Sequence, residues 1–349
     1  MLLYPKLMRK LSFAALLSIA LLSCKKETKI VNNTDPETGK TVQVEVPVET
    51  EADKPAITDS ADVYRQSFKL VTGETYPFTT VQKNNITITA PNGQKENMTT
   101  ESTDVVQFKV NGFKDNVYDI TIDFISKKSS QSAQGKTVTV DTNAAAPKEE
   151  ALKNKWSLDK ALTGNKLNMK MDDKGKIISI TGFDPVYKKL QTTINTLTKE
   201  EQVRKGLLEE AKLSFNEKHL KDQFSKNMMI LPAKGVKIGE KWSTKEDASG
   251  DGKVKLTTNY TLQKVENGAM EVSITGGIPK QSDKNTQQGI THSMSSELTQ
   301  NGTMKFDSNT GWIMSQNIKV NTVQKESISD GKKTETMTNN TVSNVIVNP

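Results

Sequence analysis

Tyr118-Asp119-Ile120-Thr121-Ile122-Asp123-Phe124 places an aromatic or aliphatic residue at every second position and a polar one between. Side chains along a β-strand point alternately to opposite faces, so this segment has one dry face and one wet face. The same period-two habit runs through Ile86, Ile88 and Ala90 and through Val106, Phe108 and Val110. It returns in Val254, Leu256, Tyr260 and Leu262, in Met270, Val272 and Ile274, and in Trp312, Met314, Ile318 and Val320. Asn92-Gly93, Asn111-Gly112, Asn267-Gly268, Asn301-Gly302 and Asp330-Gly331 fall between such runs, and these dipeptides accept the positive φ angles of tight hairpin turns. Consecutive strands are therefore expected to be antiparallel neighbours. Two polar stretches, Ser126 to Glu150 and Pro279 to Gly289, lack the alternation and read as mobile loops.

One block breaks the β habit. Between about residues 184 and 227, Val186, Leu190, Ile194 and Leu197 share a helical face, followed by Val203, Leu207 and Ala211 and then by Leu220 and Phe224. Thr198 with Glu201, and Ser214 with Glu217, have the spacing of capping boxes, so two or three short helices are expected, ended by Pro232. On either side the chain echoes itself. Gly73-Glu74-Thr75-Tyr76 resembles Gly239-Glu240-Lys241-Trp242, and Met169-Lys170-Met171-Asp172 resembles Met304-Lys305-Phe306-Asp307. The expected fold class is mainly β (α+β): a large curved antiparallel sheet, or two similar β halves, with a central helical insert.

Composition limits what such a fold can do. Of 349 residues, 34% are hydrophobic and 5% aromatic, which is lean for a globular chain and requires a core built from one-sided strands. The net charge of +7 is spread as lysines among acidic residues, a solvated surface that gives no case for nucleic acid. Cys24 is the only cysteine, so neither a disulfide framework nor a thiolate metal site is available, and no cofactor is expected.

That cysteine has a particular setting. Lys6, Arg9 and Lys10 precede an uncharged apolar run, Leu11 to Leu22, and Ser23 is a small residue before the cut. The run is well short of the ~20 residues that cross a bilayer as a helix. Leu21-Leu22-Ser23-Cys24 looks like a lipobox, whose cysteine takes a diacylglycerol before cleavage and then becomes the first residue. The expected division is a lipoprotein signal peptide at 1–23, the lipidated Cys24 with a polar, proline-bearing linker to residue 61, and the β domain over 62–349. The membrane is then a partner through the covalent lipid. Lys25 after the cysteine, by resemblance to enteric sorting rules, points to the outer membrane. Asp59-Ser60-Ala61 resembles an O-glycosylation signal of bacteroidete envelope proteins, which makes Ser60 a candidate acceptor.

Candidate catalysts are few. His219 and His292 are the only histidines, and no nucleophile elbow, zinc helix, phosphate loop or dinucleotide fingerprint occurs. Asp172, Asp173 and Asp307 could serve as paired carboxylates of a glycosidase, but turns also favour Asp for backbone reasons. Asp247 and Asp251, near Gly250 and Gly252, lack EF-hand spacing, so no metal is assigned. The apolar helix faces, with Met228, Met229, Ile230 and Leu231, must be covered by the sheet. A loosely fitted cover would leave an apolar cavity for a ligand.

The lipobox, the lysine-rich start after Cys24, the threonine-rich strands, the Asn227 to Leu231 run and the Gly-X-X-Trp at Gly239 to Trp242 resemble bacteroidete lipoproteins of the domain of unknown function 6263 family. The similarity extends over most of Phe68 to Val347 and implies no catalytic residues. The expected function is non-enzymatic: binding or scaffolding in the cell envelope, with an envelope protein as partner. Carriage of a lipid or other apolar ligand between sheet and helices is the alternative, and a carboxylate glycosidase ranks third.

Overall fold

The computed structural model describes residues 28–34, 41–47, 55–228, 230–249 and 252–349. The chain divides into residues 1–54 and a second unit running from Pro55 to Pro349. In the first unit β1 (Thr28–Thr34) and β2 (Thr41–Pro47) pair antiparallel, so the stretch read as an irregular linker contains a hairpin. The second unit begins at Pro55 rather than at residue 62. Ala56 and Ile57 are buried, because β3 (Ile57–Ser60) and β4 (Val63–Gln66) form a hairpin turned by Ala61-Asp62, both at positive φ.

The sheet that follows is built from β5 (Thr75–Thr89), β6 (Lys95–Lys114), β7 (Val117–Ala133), β8 (Lys136–Asp141), β9 (Lys166–Asp172) and β10 (Ile177–Thr181), then β11 (Lys241–Asp247), β12 (Lys255–Glu266), β13 (Ala269–Gln287), β14 (Ile290–Asp307), β15 (Ile313–Ser329) and β16 (Thr334–Val347). All pairs are antiparallel, in the order β10-β9-β7-β6-β5-β16-β15-β14-β13-β12-β11, with β8 on the far part of β7. Helices α1 (Glu150–Leu162), α2 (Phe183–Leu197), α3 (Glu201–Ser214) and α4 (Glu217–Ser225) lie between β8 and β11 in the chain.

The alternating segments bury their apolar side against these helices. Tyr118, Ile120 and Ile122 of β7, Leu167, Met169 and Met171 of β9, and Met270, Val272 and Ile274 of β13 join Val186 and Leu190 of α2 and Leu220 and Phe224 of α4 in one core. The Phe224 ring meets Phe108 at 5.0 Å and Phe78 at 5.6 Å, nearly edge-on, and Phe108 meets Trp312 at 5.2 Å. The edge strand β10 does not end raw. Ile180 donates its N–H to Glu217 Oε1 and Ile178 accepts at its carbonyl from Lys221 Nζ, so one turn of α4 covers an edge that would otherwise template pairing.

The internal echo is a structural repeat. In the first copy Gly73 N–H donates to the Val110 carbonyl and Val110 N–H to the Glu74 carbonyl; in the second, Gly239 donates to Leu262 and Leu262 to Glu240. Both copies carry a register shift at the same place, between Val110 and Gly112 and between Leu262 and Lys264. Asp172 and Asp307 each turn the next hairpin with Oδ1 accepting from backbone N–H groups two and more residues on. Strands β5, β6, β7, β9 and β10 thus correspond to β11, β12, β13, β14 and β15. The first copy inserts β8 and α1 and continues into the other helices, whereas the second continues into β16, which pairs with β5 and joins the two series.

Several local expectations fail for physical reasons. The stretches 126–150 and 279–289 are largely strand: β7 runs on to Ala133, β8 follows, and β13 continues to Gln287. Except at Val140 and Thr142, which are buried where α1 meets β8, these segments bury few side chains, so no apolar alternation is required. Their register is held by polar pairs placed directly across strands, such as Asn85 with Thr99, Thr87 with Asn97, Ser132 with Thr137 and Thr286 with Thr291. Asn111-Gly112 marks a bulge rather than a turn. Asn301-Gly302 lies inside β14, where a Cβ on Gly302 would stand 2.2 Å from the Asn317 carbonyl oxygen, so the glycine serves close backbone approach. The cap of α4 is Asn216, which accepts from His219 N–H, while Ser214 donates back to Glu210 and Ala211. Helix α1 was not expected; it buries only Asp159 and Ala161 and shows little apolar stripe.

Candidate functional site

Helix α4 stands between two cavities on the helix-covered face of the sheet. One, of about 430 Å³, lies between α1, α4 and strands β5 to β7, with Phe78, Val106, Phe124, Leu162 and Phe215 in its wall. The other, of about 690 Å³, lies on the opposite side of α4 and reaches from Thr80, Gln82 and Ser102 to Thr244, Leu256 and Tyr260. Thr80, Asp104 and Gln223 border both.

The larger cavity shows how the sheet is shaped. β6 and β11 are seven places apart in strand order, about 34 Å across a flat sheet at ~4.8 Å per strand, yet both line this one space. The sheet is therefore rolled, and the cavity is the lumen of the roll where the helices leave it unfilled. Gly276 in β13 and Gly302 in β14 allow this curl, since a Cβ on Gly276 would meet the Thr257 carbonyl oxygen at 2.1 Å. The roll is held from within by a short segment after α4. Gln66 accepts from Ile230 and Leu231 N–H and donates to the Met228 carbonyl, while Trp242 Nε1–H donates to the Ile230 carbonyl at 3.1 Å. Trp242 stacks on Tyr260, whose hydroxyl is pushed up in pKa, chiefly by burial.

The lumen wall combines aliphatic groups with neutral polar ones. Ile274, Met304, Ile318, Val345 and Val347 are interleaved with Gln82, Thr258, Gln300 and Gln316. Gln300 Nε2 donates to Thr258 Oγ1 at 2.8 Å. The charged residues at the wall are paired: Asp104 with Lys127, which lines the smaller cavity, at 2.6 Å, and Lys226 with Glu246 at 2.6 Å.

The candidates from the sequence are dispersed. Leu21, Leu22, Ser23 and Cys24 lie outside the described residues, as do Met229, Gly250 and Asp251. Ser60 is exposed at the tip of the β3–β4 hairpin, with Asp59 and Ala61 also exposed. Asp172 and Asp307 are occupied with turn hydrogen bonds, and Asp173 donates its N–H to the Asn116 carbonyl. His219 is exposed at the mouth of the smaller cavity, and His292 is exposed on β14. Asp247 pairs with Lys255. Among the described residues no three His, Cys, Asp or Glu side chains gather as a metal site, and no helix is long and apolar enough to cross a membrane. Met228, Ile230 and Leu231 are buried, as the apolar run suggested. Gln316 escaped notice, although a polar residue interrupting the row Trp312, Met314, Ile318, Val320 was its signal.

Residues 115–313 match the model described as Family of unknown function (DUF6263). The chain belongs to this family. The DUF6263 match runs from the turn before β7 to the first residue of β15 and so includes the whole helical insert. No curated protein matches the chain. Among solved structures, one described as lipid-protein interactions in lipovitellin is 11% identical at a TM-score of 0.36, over 80% of this chain and 25% of that one. The chain thus spans about a quarter of that protein's length. OccK7 (OpdD) of Pseudomonas aeruginosa is 6% identical at a TM-score of 0.15, over 78% of this chain and 98% of that one. An outer membrane channel from Pseudomonas putida F1 is 8% identical at a TM-score of 0.15, over 82% of this chain and 99% of that one. Similarity at this level carries no functional weight.

Proposed function

We propose that this DUF6263 protein is a lipid-anchored protein of the cell envelope that works by binding, not by catalysis, and that the lumen beside α4 is its ligand site. The observation that supports this reading is the unfilled part of the rolled sheet, about 690 Å³, within the size range of small-molecule sites. An aliphatic wall with a few fixed polar groups suits a largely apolar ligand. The anchor is Cys24, with the outer membrane as its location, and Ser60 is an accessible acceptor for a glycan.

Native mass spectrometry of residues 25–349, which include every described residue, tests the ligand. A gently purified sample should retain an added mass that extraction into organic solvent releases; only bare protein would count against the lumen as a site. Cys24→Ala should release the protein from membranes, and continued retention would sink the anchor. A second reading, docking of an envelope protein, has its own observation. Ile290, Met294, Ile328 and Met337 are 41–58% exposed near the hairpin tips. Strand register puts all four on the lumen side, since His292 pairs with Ile328 and Met294 with Glu326, itself paired with Met337. Serine at all four positions should abolish capture of a cross-linked partner while leaving any lumen ligand in place.

A further inference from the structure

One side chain in the lumen wall turns its polar end to the lumen and not to a partner in the fold. Gln316 is 6% exposed, yet its carboxamide has no hydrogen-bond partner among the described residues. Its amide atoms stay accessible from the lumen, since among the described residues the buried side-chain polar atom without a partner is Ser308 Oγ, so they present a donor and an acceptor to whatever occupies that space. Its neighbours define its setting. Met304, Gln316, Val347 and Thr80 pair one to the next across β14, β15, β16 and β5, a row in which the amide stands between two aliphatic side chains.

The surroundings narrow what such an amide would meet. The charged groups at the wall, Asp104 with Lys127 and Lys226 with Glu246, are already paired, so an ionised ligand group would enter this space with its charge uncompensated. The same face continues along β5 from Thr80 through Gln82, Asn84 and Ile86 to Ile88, where a separate hollow of about 590 Å³ sets Ile86, Ile88, Met98 and Ala133 beside the polar residues Gln94 to Asn97 and Gln134; Asn84, between the two hollows, bonds Thr100. The eight steps from Thr80 to Ile88, at ~3.3 Å each, span about 26 Å of this face. One acyl chain needs about 15 Å, half of a ~30 Å bilayer core. That face is long enough for an alkyl chain, and the amide stands at its inner end.

Building on the reading of the lumen as a ligand site, we infer that its ligand is a neutral acyl compound, a long alkyl chain bearing an ester or amide carbonyl, and that Gln316 Nε2–H donates to that carbonyl. The amide acts as the polar fixture that sets how far the chain enters, and the aliphatic wall holds the chain itself. A free fatty acid, which would bring a carboxylate, fits less well than its ester.

The test uses residues 25–349 and two probes delivered on cyclodextrin: palmitic acid methyl ester and the alkyl methyl ether of matched length, which lacks the carbonyl. Displacement of an environment-sensitive acyl fluorophore reads both affinities. The wild type should bind the ester about 3–10-fold more tightly than the ether, the range of one neutral hydrogen bond. Gln316→Met should erase that preference while leaving ether affinity unchanged. The Met variant should melt no lower than wild type, because the amide has no partner to lose; Gln316→Asn, which keeps the amide but shortens its reach, should also lose the preference. Equal binding of the two probes by wild type, or a preference that survives both substitutions, overturns the role of Gln316 and leaves the lumen standing as a site. Binding of neither probe by wild type overturns the acyl ligand and counts against the lumen reading as well.

Discussion

Replacing Phe224 by Ala should loosen α4 from the sheet at a cost set by identifiable contacts. The ring is 1% exposed and sits nearly perpendicular to Phe108 and Phe78, at 84° and 89°. Truncating a buried Phe costs about 3–5 kcal/mol, and each aromatic pair contributes roughly 0.5–1.5 kcal/mol of that. Phe78 and Phe108 are fixed on strands and cannot close the gap, but α4 has a cavity on each side and can shift. The lower end, about 3 kcal/mol, is therefore expected. Urea denaturation followed by tryptophan fluorescence measures the loss. Hydrogen exchange locates it: residues 217–225 should lose protection, and so should the Ile180 amide, whose acceptor is Glu217 on this helix. With only nine residues, α4 is too short to persist by itself. A loss under about 1 kcal/mol, or α4 amides protected as in wild type, would refute the claim that this ring seats the helix.

Two Asn-Gly pairs with the same sequence signature should respond differently to alanine. Gly302→Ala drives a Cβ to 2.2 Å from the Asn317 oxygen and should cost about 1–3 kcal/mol, whereas Gly112→Ala meets nothing within 4 Å and should stay within about 0.5 kcal/mol in chemical denaturation. Equal effects would contradict the strand placement of Gly302. Gln66→Leu removes the acceptor shared by the Ile230 and Leu231 amides and should cost about 3 kcal/mol by the same assay, a near-neutral result arguing against the clasp. Glu217 is held below the ordinary glutamate value of 4.5, first by its hydrogen bond from Lys221 and then by that from Ile180 N–H. Its contribution is present above pH 4.5 and fades as pH falls through the lowered value. Glu217→Gln should therefore destabilise the protein slightly at pH 7, by about 0.5 kcal/mol given its exposure, and narrow the gap to wild type in acid. A gap that widens on acidification would reverse the assignment.

The parts of the fold that bury one face were legible in the sequence. Tyr118 to Ile122, Met270 to Ile274 and the Val186, Leu190, Ile194 stripe all landed in the core because burial imposes the period that reveals it. Near Ser129 the paired strands bury Val140 alone and near Asp283 they bury nothing, so pairing there leaves no periodic trace and these segments lack the strand signal. Asn-Gly proved ambiguous because glycine answers two needs, positive φ at Asn267-Gly268 and close approach at Gly302. In β15 a register shift between Ile313 and Ser315 turns Met314 to solvent and seats Gln316 in the wall. Alternation counted through that shift hides the one polar residue of greatest interest. The lumen could not be read because it depends on the roll, which brings β6 and β11 together across the intervening strands.

The length of β6 gives the molecule reach. The chain enters the second unit at the β3–β4 hairpin, where Ile57 bonds the Ser308 carbonyl and Phe68 the Asp173 carbonyl, both at one end of the sheet. The tips near Gly93, Gly135, Gly289 and Gly331 are all at the other. Twenty residues of β6 separate the two ends, about 65 Å at ~3.3 Å per residue. That span exceeds the ~40–45 Å thickness of a whole bilayer with its headgroups. Whatever touches the domain's tips does so well away from where the chain comes in.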